Sequence, residues 1–152
     1  MMPMQASKRV IVDRLNLFTE YLAEIRKLPL EDQEQFMQDK RNIWSAESCL
    51  GRSLEALLDI GRHILAKGYG KGVTEYKEIA TNLRDHQVLS IAEAQLLFTL
   101  AGYRNRMVHY YHEITADELY QICTTQLKDS EDVANAFRNW MNTHPEMVDT
   151  KL

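Results

Sequence analysis

Apolar side chains recur every three or four residues along most of the chain, a spacing typical of amphipathic α-helices. β-branched residues are scattered instead of alternating, and only three prolines and six glycines interrupt the pattern. The first helix is predicted over residues 7 to 28, ending before Pro29 because a residue that precedes proline avoids helical dihedral angles. Its apolar positions form one stripe: Ile11, Leu15, Phe18, Leu22 and Ile25. The sequence therefore predicts an all-α protein.

A long second helix is predicted over residues 31 to 67. At 1.5 Å per residue it would be about 54 Å long. A helix of that length overhangs its partners or bends, and Gly51 and Gly61 are the predicted bend points. Residues 67 to 72 alternate glycine with lysine and tyrosine. Their spacing does not match a phosphate-binding P-loop, so this stretch is interpreted as a flexible linker.

Further helices are predicted over residues 74 to 84, from Ser90, from Thr115, and over residues 130 to 142. The starts at Ser90 and Thr115 carry the capping-box pattern, with glutamate three positions after the serine or threonine. The helix from Ser90 is expected to be the most buried, with an inner side formed by Ile91, Ala94, Leu97, Leu100 and Ala101.

These elements predict an antiparallel up-and-down bundle of about four main helices plus one or two short ones. We expect a single domain over residues 1 to 152, with a core from about 7 to 143 and a frayed tail over 144 to 152.

Composition limits the classes of function. The chain has 18 basic and 22 acidic side chains and a net charge of −4, so any contact with nucleic acid must be a local basic site. Cys49 and Cys123 lack metal-ligand spacing and are interpreted as reduced, buried thiols. No signal peptide and no apolar run of membrane-spanning length is visible, so we expect a cytoplasmic protein without membrane contact. Neither a metal site nor a cofactor is predicted.

Residues 101 to 112 concentrate the groups able to do chemistry, with two arginines, one amide, two histidines and three tyrosines. An arginine can bind a phosphate through two donors, and a histidine can move a proton near neutral pH. Arg104 and His109 would lie about 140° apart on a straight helix. They could converge if the helix loosens near Met107 or if a second copy supplies the other half. The alternative is that the arginines are solvated charges near a helix C-terminus and His109 a satisfied interfacial histidine.

The same segment reads R-x-x-x-x-H-x-Y, from Arg104 through His109 to Tyr111, after an apolar helix and with Asn105 following the arginine. This pattern resembles the HepT family of HEPN-domain toxins. Residues 46 to 50 and 58 to 65 resemble that family's long second helix, and the likeness extends over residues 7 to 143.

The resemblance implies a metal-independent endoribonuclease toxin that acts as a homodimer, with two motifs facing each other across a cleft. Arg104 and His109 would be the catalytic pair, and Asn105 would support them. In the family, an MntA-type nucleotidyltransferase antitoxin neutralises the toxin by transferring AMP to the motif tyrosine, which is Tyr111 here. Arg106 and the neighbouring Tyr110 are candidate RNA contacts without an assured family role.

Two other functions remain open at this stage. The bundle could be a non-catalytic module that binds nucleotide or a nucleotidyltransferase partner, which the acidic net charge favours, or a purely structural dimer. The Arg/His/Tyr motif favours the nuclease. Four further polar residues on the second helix are candidates for lining a cleft: Glu47, Asp59, Arg62 and His63. For Asp59 and Arg62 the alternative is an ion pair with each other on the surface.

Overall fold

A computed structural model describes residues 4–109 and 114–151, and for His109 it describes the backbone alone. Tyr110 and Tyr111 lie outside the described residues. The helices in the described part are α1 Lys8–Arg26, α2 Gln33–Gln38, α3 Lys40–Tyr69, α4 Tyr76–Asp85, α5 Ile91–His109, α6 Ala116–Thr125 and α7 Leu127–Thr143. They are accompanied by one 3-10 turn, Pro145–Met147, and two short strands, β1 Ala6–Ser7 and β2 Val148–Asp149. The expected all-α bundle is confirmed, with this two-residue strand pair added to it.

The apolar stripe of α1 is buried as the spacing predicts. Its five members are at most 4% exposed, and they pack against α3: Ile11, Leu15, Phe18, Leu22 and Ile25. α3 is the central helix, in contact with every other helix of the bundle, and it carries more buried residues than any other described helix. The expectation that α5 is the most buried helix is therefore wrong. Ile91, placed on its inner side, is 79% exposed.

The predicted helix over residues 31 to 67 is interrupted at Asp39. The backbone there is extended, with φ −117° and ψ 112°, so Asp39 ends α2 and caps α3. Its carboxylate accepts a hydrogen bond from the backbone N–H of Arg41 at 2.9 Å. Aspartate is among the preferred N-cap residues, because its short side chain reaches the unpaired N–H groups of the first turn. α3 then continues to Tyr69 and ends at Gly70, where φ is +65°.

The two glycines predicted as bend points lie inside α3 and allow close packing. A Cβ atom at Gly61 would lie 2.7 Å from Leu83 Cδ1 and 2.8 Å from Ile79 Cγ2, both on α4. Such distances are shorter than van der Waals contact. Gly61 therefore lets α4 approach α3, and Gly51 serves the functional site in the same way.

Both predicted capping boxes begin helices, and they differ in completeness. At α5, Glu93 accepts from Ser90 N at 2.8 Å, and Ser90 Oγ accepts from Glu93 N at 3.1 Å. At α6, Thr115 Oγ1 accepts from Glu118 N at 3.1 Å, but the Glu118 carboxylate binds an arginine on α5 instead. The second box is half formed because a charged donor competes for the glutamate.

The end of the chain is more ordered than the predicted frayed tail. β2 pairs with β1 in parallel, with Ala6 opposite Val148, and both side chains are buried. The N–H of Ser7 donates to His63 Nε2 at 2.8 Å, which ties β1 to α3. This strand pair is too short to leave an alternating pattern in the sequence.

The two cysteines differ. Cys123 is buried as expected, and burial raises the pKa of its thiol to about 12. Cys49 is partly exposed, contrary to the expectation. No described helix combines the length and apolarity needed to cross a bilayer.

Candidate functional site

α5 is a continuous α-helix from Ile91 to His109. The loosening near Met107 that would let Arg104 and His109 converge within one chain is therefore absent from the described backbone. A regular helix keeps positions 104 and 109 about 140° apart. The backbone of α5 therefore gives no support to convergence of the pair within one chain.

Arg104 lies in a depression on α3 formed by Gly51. Its Nη1 atom is 2.7 Å from the position that a Cβ atom at residue 51 would take. Its Nε atom is 3.6 Å from Glu55 Oε2, and the two side chains are 23% and 32% exposed. A larger residue at this position would make the guanidinium shift. Gly51 is thus a packing residue for the proposed catalytic arginine.

The ion pair between Arg104 and Glu55 holds the arginine by charge. The distance of 3.6 Å is too long for a hydrogen bond. Arg104 Nε and Glu55 Oε2 are buried, and neither forms a hydrogen bond within the described part of the chain. The ion pair therefore holds the guanidinium against α3, with its Nε atom buried.

Tyr76, in the first turn of α4, completes this cluster. Burial raises the pKa of its phenol, Glu55 raises it further, and Arg104 lowers it, so the phenol lies close to both members of the ion pair. Neither Glu55 nor Tyr76 was predicted from the sequence to lie at the site. The one available signal was the spacing of four that places Gly51, Glu55 and Asp59 on the same face of α3.

Asn105 and Arg106 line a cavity of about 910 Å³ between α4 and α5. We call it the α4–α5 groove; its lining includes Tyr76, Lys77, Gly102 and Tyr103. Arg104 does not line it. The structure thus divides the predicted residues between two faces of α5, with Arg104 towards α3 and Asn105 on the groove side.

Arg106 is already engaged by an acidic partner. Its two terminal nitrogens donate to the Glu118 carboxylate at 2.6 Å each. These hydrogen bonds hold the pKa of the Glu118 carboxyl below its usual range. The pair joins α5 to α6 across the segment that contains His109 and Tyr111. This geometry favours a role for Arg106 in holding that segment, and its predicted RNA contact stays a prediction.

The additional candidates on α3 have separate roles. Arg62 donates to Asp59 at 2.8 Å, as the surface-pairing alternative predicts, and it lines the α4–α5 groove. Burial raises the pKa of the Asp59 carboxyl, and the nearby Glu55 raises it further. His63 accepts from Ser7, and burial lowers the pKa of its imidazole, so it acts as a neutral anchor for β1. Glu47 is exposed.

Comparison with known proteins places this geometry in context. The sequence model of the family described as ribonuclease HepT-like matches residues 18–137. A protein of Aphanizomenon flos-aquae named tRNA nuclease HepT is 28% identical over 120 residues, which cover 78% of this chain and 81% of that protein.

Solved structures share the fold. The HEPN toxin of Shewanella oneidensis, described as tri-AMPylated and in complex with an MNT antitoxin, superposes with a TM-score of 0.76 at 23% identity. That match covers 86% of this chain and 97% of the toxin. The protein YutE of Bacillus subtilis, described as cytosolic and of unknown function, superposes with a TM-score of 0.78 at 21% identity, covering 94% and 95% of the two chains.

Proposed function

The chain belongs to the family of HepT-like ribonucleases, and we propose that it is the toxin of a toxin–antitoxin pair and cuts RNA as a homodimer. The observation that carries the proposal is the position of Arg104. It stands in the R-x-x-x-x-H-x-Y motif, and its guanidinium lies over Gly51 beside Glu55. An arginine that is partly buried and held in place is suited to stabilise charge on a phosphoryl group.

The proposed reaction needs one base and one cation. His109 accepts the proton of a ribose 2′-hydroxyl, and the resulting oxygen attacks the adjacent phosphorus. The bond from phosphorus to the 5′-oxygen breaks, and that oxygen leaves with the proton that the His109 imidazole gives up. Arg104 stabilises the negative charge of the phosphorane between these steps. The products are a 2′,3′-cyclic phosphate and a 5′-hydroxyl, and Asn105 supports the pair.

A second copy of the chain would complete the site. A regular helix would keep positions 104 and 109 of one chain about 140° apart, and two motifs facing each other would bring an arginine near a histidine. Val108, between the arginine and the histidine of the motif, is 43% exposed and offers apolar surface for such a contact. We therefore place the reaction in the cleft between two copies.

Neutralisation is proposed to occur at Tyr111. An MntA-type nucleotidyltransferase would transfer AMP from ATP to its phenol oxygen, which loses its proton as pyrophosphate leaves. The added phosphate would bring negative charge close to Arg104 and block an anionic RNA strand. The Shewanella toxin, described as AMPylated and bound to its antitoxin, supports this proposal.

One observation favours a second candidate function, a non-catalytic module that binds a nucleotide or the nucleotidyltransferase. The three arginines around α5 each face a carboxylate: Arg104 with Glu55, Arg106 with Glu118, and Arg62 with Asp59. Such pairing lowers the local positive potential that RNA binding requires.

Expression of the protein in bacteria tests the choice between the two functions. The nuclease proposal predicts growth arrest without the antitoxin and its relief by His109→Ala or Arg104→Ala. Growth curves with matched protein levels provide the measurement. If both variants arrest growth as strongly as the wild type, the proposed catalytic pair is wrong.

A further inference from the structure

Lys77 is an exposed cation of the α4–α5 groove that has no carboxylate partner among the described residues. The other two cations that line the groove, Arg62 and Arg106, pair with Asp59 and Glu118. The Lys77 ammonium lies 5.1 Å from the centroid of the Phe98 ring, within the range of a cation–π interaction. The Lys77 ammonium therefore lies over the Phe98 ring without forming an ion pair to a carboxylate of the described residues.

The position of Lys77 relative to the proposed catalytic residues is set by the first turn of α4. Tyr76 lies close to Arg104 on one side of α5. The Lys77 side chain passes over α5 at Gly102. A Cβ atom added to Gly102 would lie 3.6 Å from the Lys77 Cε atom. Adjacent residues in the first turn of α4 therefore lie close to α5 at two positions, Tyr76 at Arg104 and Lys77 at Gly102.

The remaining lining of the groove fits a nucleotide strand. Its volume of about 910 Å³ falls in the range of roughly 300–1,000 Å³ typical of ligand sites. Tyr103 lines it with a half-buried ring, and aromatic rings of this kind stack on bases without regard to sequence. Asn105 adds an amide, and Glu75 is an acidic group of the lining.

We propose that the α4–α5 groove binds the single-stranded RNA that flanks the scissile phosphate, with Lys77 contacting a backbone phosphate. The inference rests on the proposed nuclease function and adds a binding residue outside the motif. Lys77 binds the strand and takes no part in bond breaking. It therefore contributes to KM and to the salt dependence of binding, while kcat depends on the motif.

Cleavage of unfractionated tRNA by purified protein tests the assignment. Lys77→Gln is expected to raise KM about tenfold, the value of one hydrogen bond to a charged group, and to leave kcat within about twofold. The slope of log KM against log salt concentration should become less steep by about 0.7, the contribution of one phosphate contact to a single strand. Lys77→Arg keeps the charge and should retain most of the wild-type affinity.

Lys128→Gln, which removes an exposed charge from α7, is the matched control and should leave KM and the salt slope unchanged. Thermal unfolding verifies that each variant is folded. If Lys77→Gln keeps the wild-type KM and salt slope while His109→Ala abolishes cleavage, the groove assignment is wrong and the nuclease proposal stands. The assignment is also wrong if Lys77→Gln weakens only the binding of the nucleotidyltransferase. Absence of cleavage by the wild type overturns both.

Discussion

Arg104→Gln is expected to lower kcat for RNA cleavage by about 10²- to 10³-fold, the usual cost of removing one group that stabilises an oxyanion in the transition state. Glutamine keeps part of the side-chain volume over Gly51 but cannot neutralise the phosphorane. Arg104→Lys is expected to restore little of the rate, because a single ammonium cannot replace the two-point guanidinium contact.

The measurement is single-turnover cleavage of tRNA with enzyme in excess, which separates chemistry from binding. Arg138→Gln on α7 is the matched control, since Arg138 donates a hydrogen bond to Asn135 of its own helix. Removing Arg104 leaves the Glu55 carboxylate partly buried without its cation, so the unfolding midpoint of the variant must be measured alongside. A folded Arg104→Gln protein that cuts at the wild-type rate contradicts the assigned role.

Tyr111→Phe is expected to abolish neutralisation by the nucleotidyltransferase while leaving the toxin active. The phenol oxygen is the proposed acceptor of AMP, and phenylalanine lacks it. Cells that express Tyr111→Phe together with the antitoxin should therefore stay arrested, whereas cells with the wild-type pair should grow. Mass spectrometry of the wild-type protein from such cells should place adenylyl mass on Tyr111.

Tyr110→Phe is the control for this experiment, because it removes the neighbouring phenol and should leave neutralisation intact. Expression of Tyr111→Phe without the antitoxin must arrest growth, which verifies that the variant is still toxic. Adenylyl mass on Tyr110, or growth of cells that express Tyr111→Phe with the antitoxin, contradicts the assignment.

Local signals in the sequence were sufficient for much of the fold. The 4-3-4-3 spacing predicted every buried position of α1, because helix periodicity alone decides which side faces the core. The same periodicity wrongly predicted one continuous helix through Asp39. The apolar spacing continues there, but the Asp39 side chain caps the start of a new helix. Ile91 was misplaced for a related reason. An apolar residue at the start of a helix is buried only if a neighbouring element packs over it.

The site was predictable in part. Arg104 could be singled out from its spacing and family pattern, whereas its partners Glu55 and Tyr76 come from other helices and depend on tertiary contact. Gly51 was interpreted as a bend point, since a sequence cannot distinguish a glycine that relaxes a helix from one that admits a side chain. The ion pair between Arg106 and Glu118 was not predicted, because the capping-box pattern assigned the Glu118 carboxylate to the backbone N–H of Thr115.

The most direct measurement is cleavage of tRNA by the purified wild-type protein in the presence of EDTA, followed by analysis of the product ends. If Arg104 and His109 are the catalytic pair, cleavage persists in EDTA and leaves 2′,3′-cyclic phosphate and 5′-hydroxyl ends. The His109→Ala variant then yields no products. Cleavage that requires added divalent metal and leaves 3′-hydroxyl and 5′-phosphate ends, or no cleavage by the wild type, would contradict the proposed function.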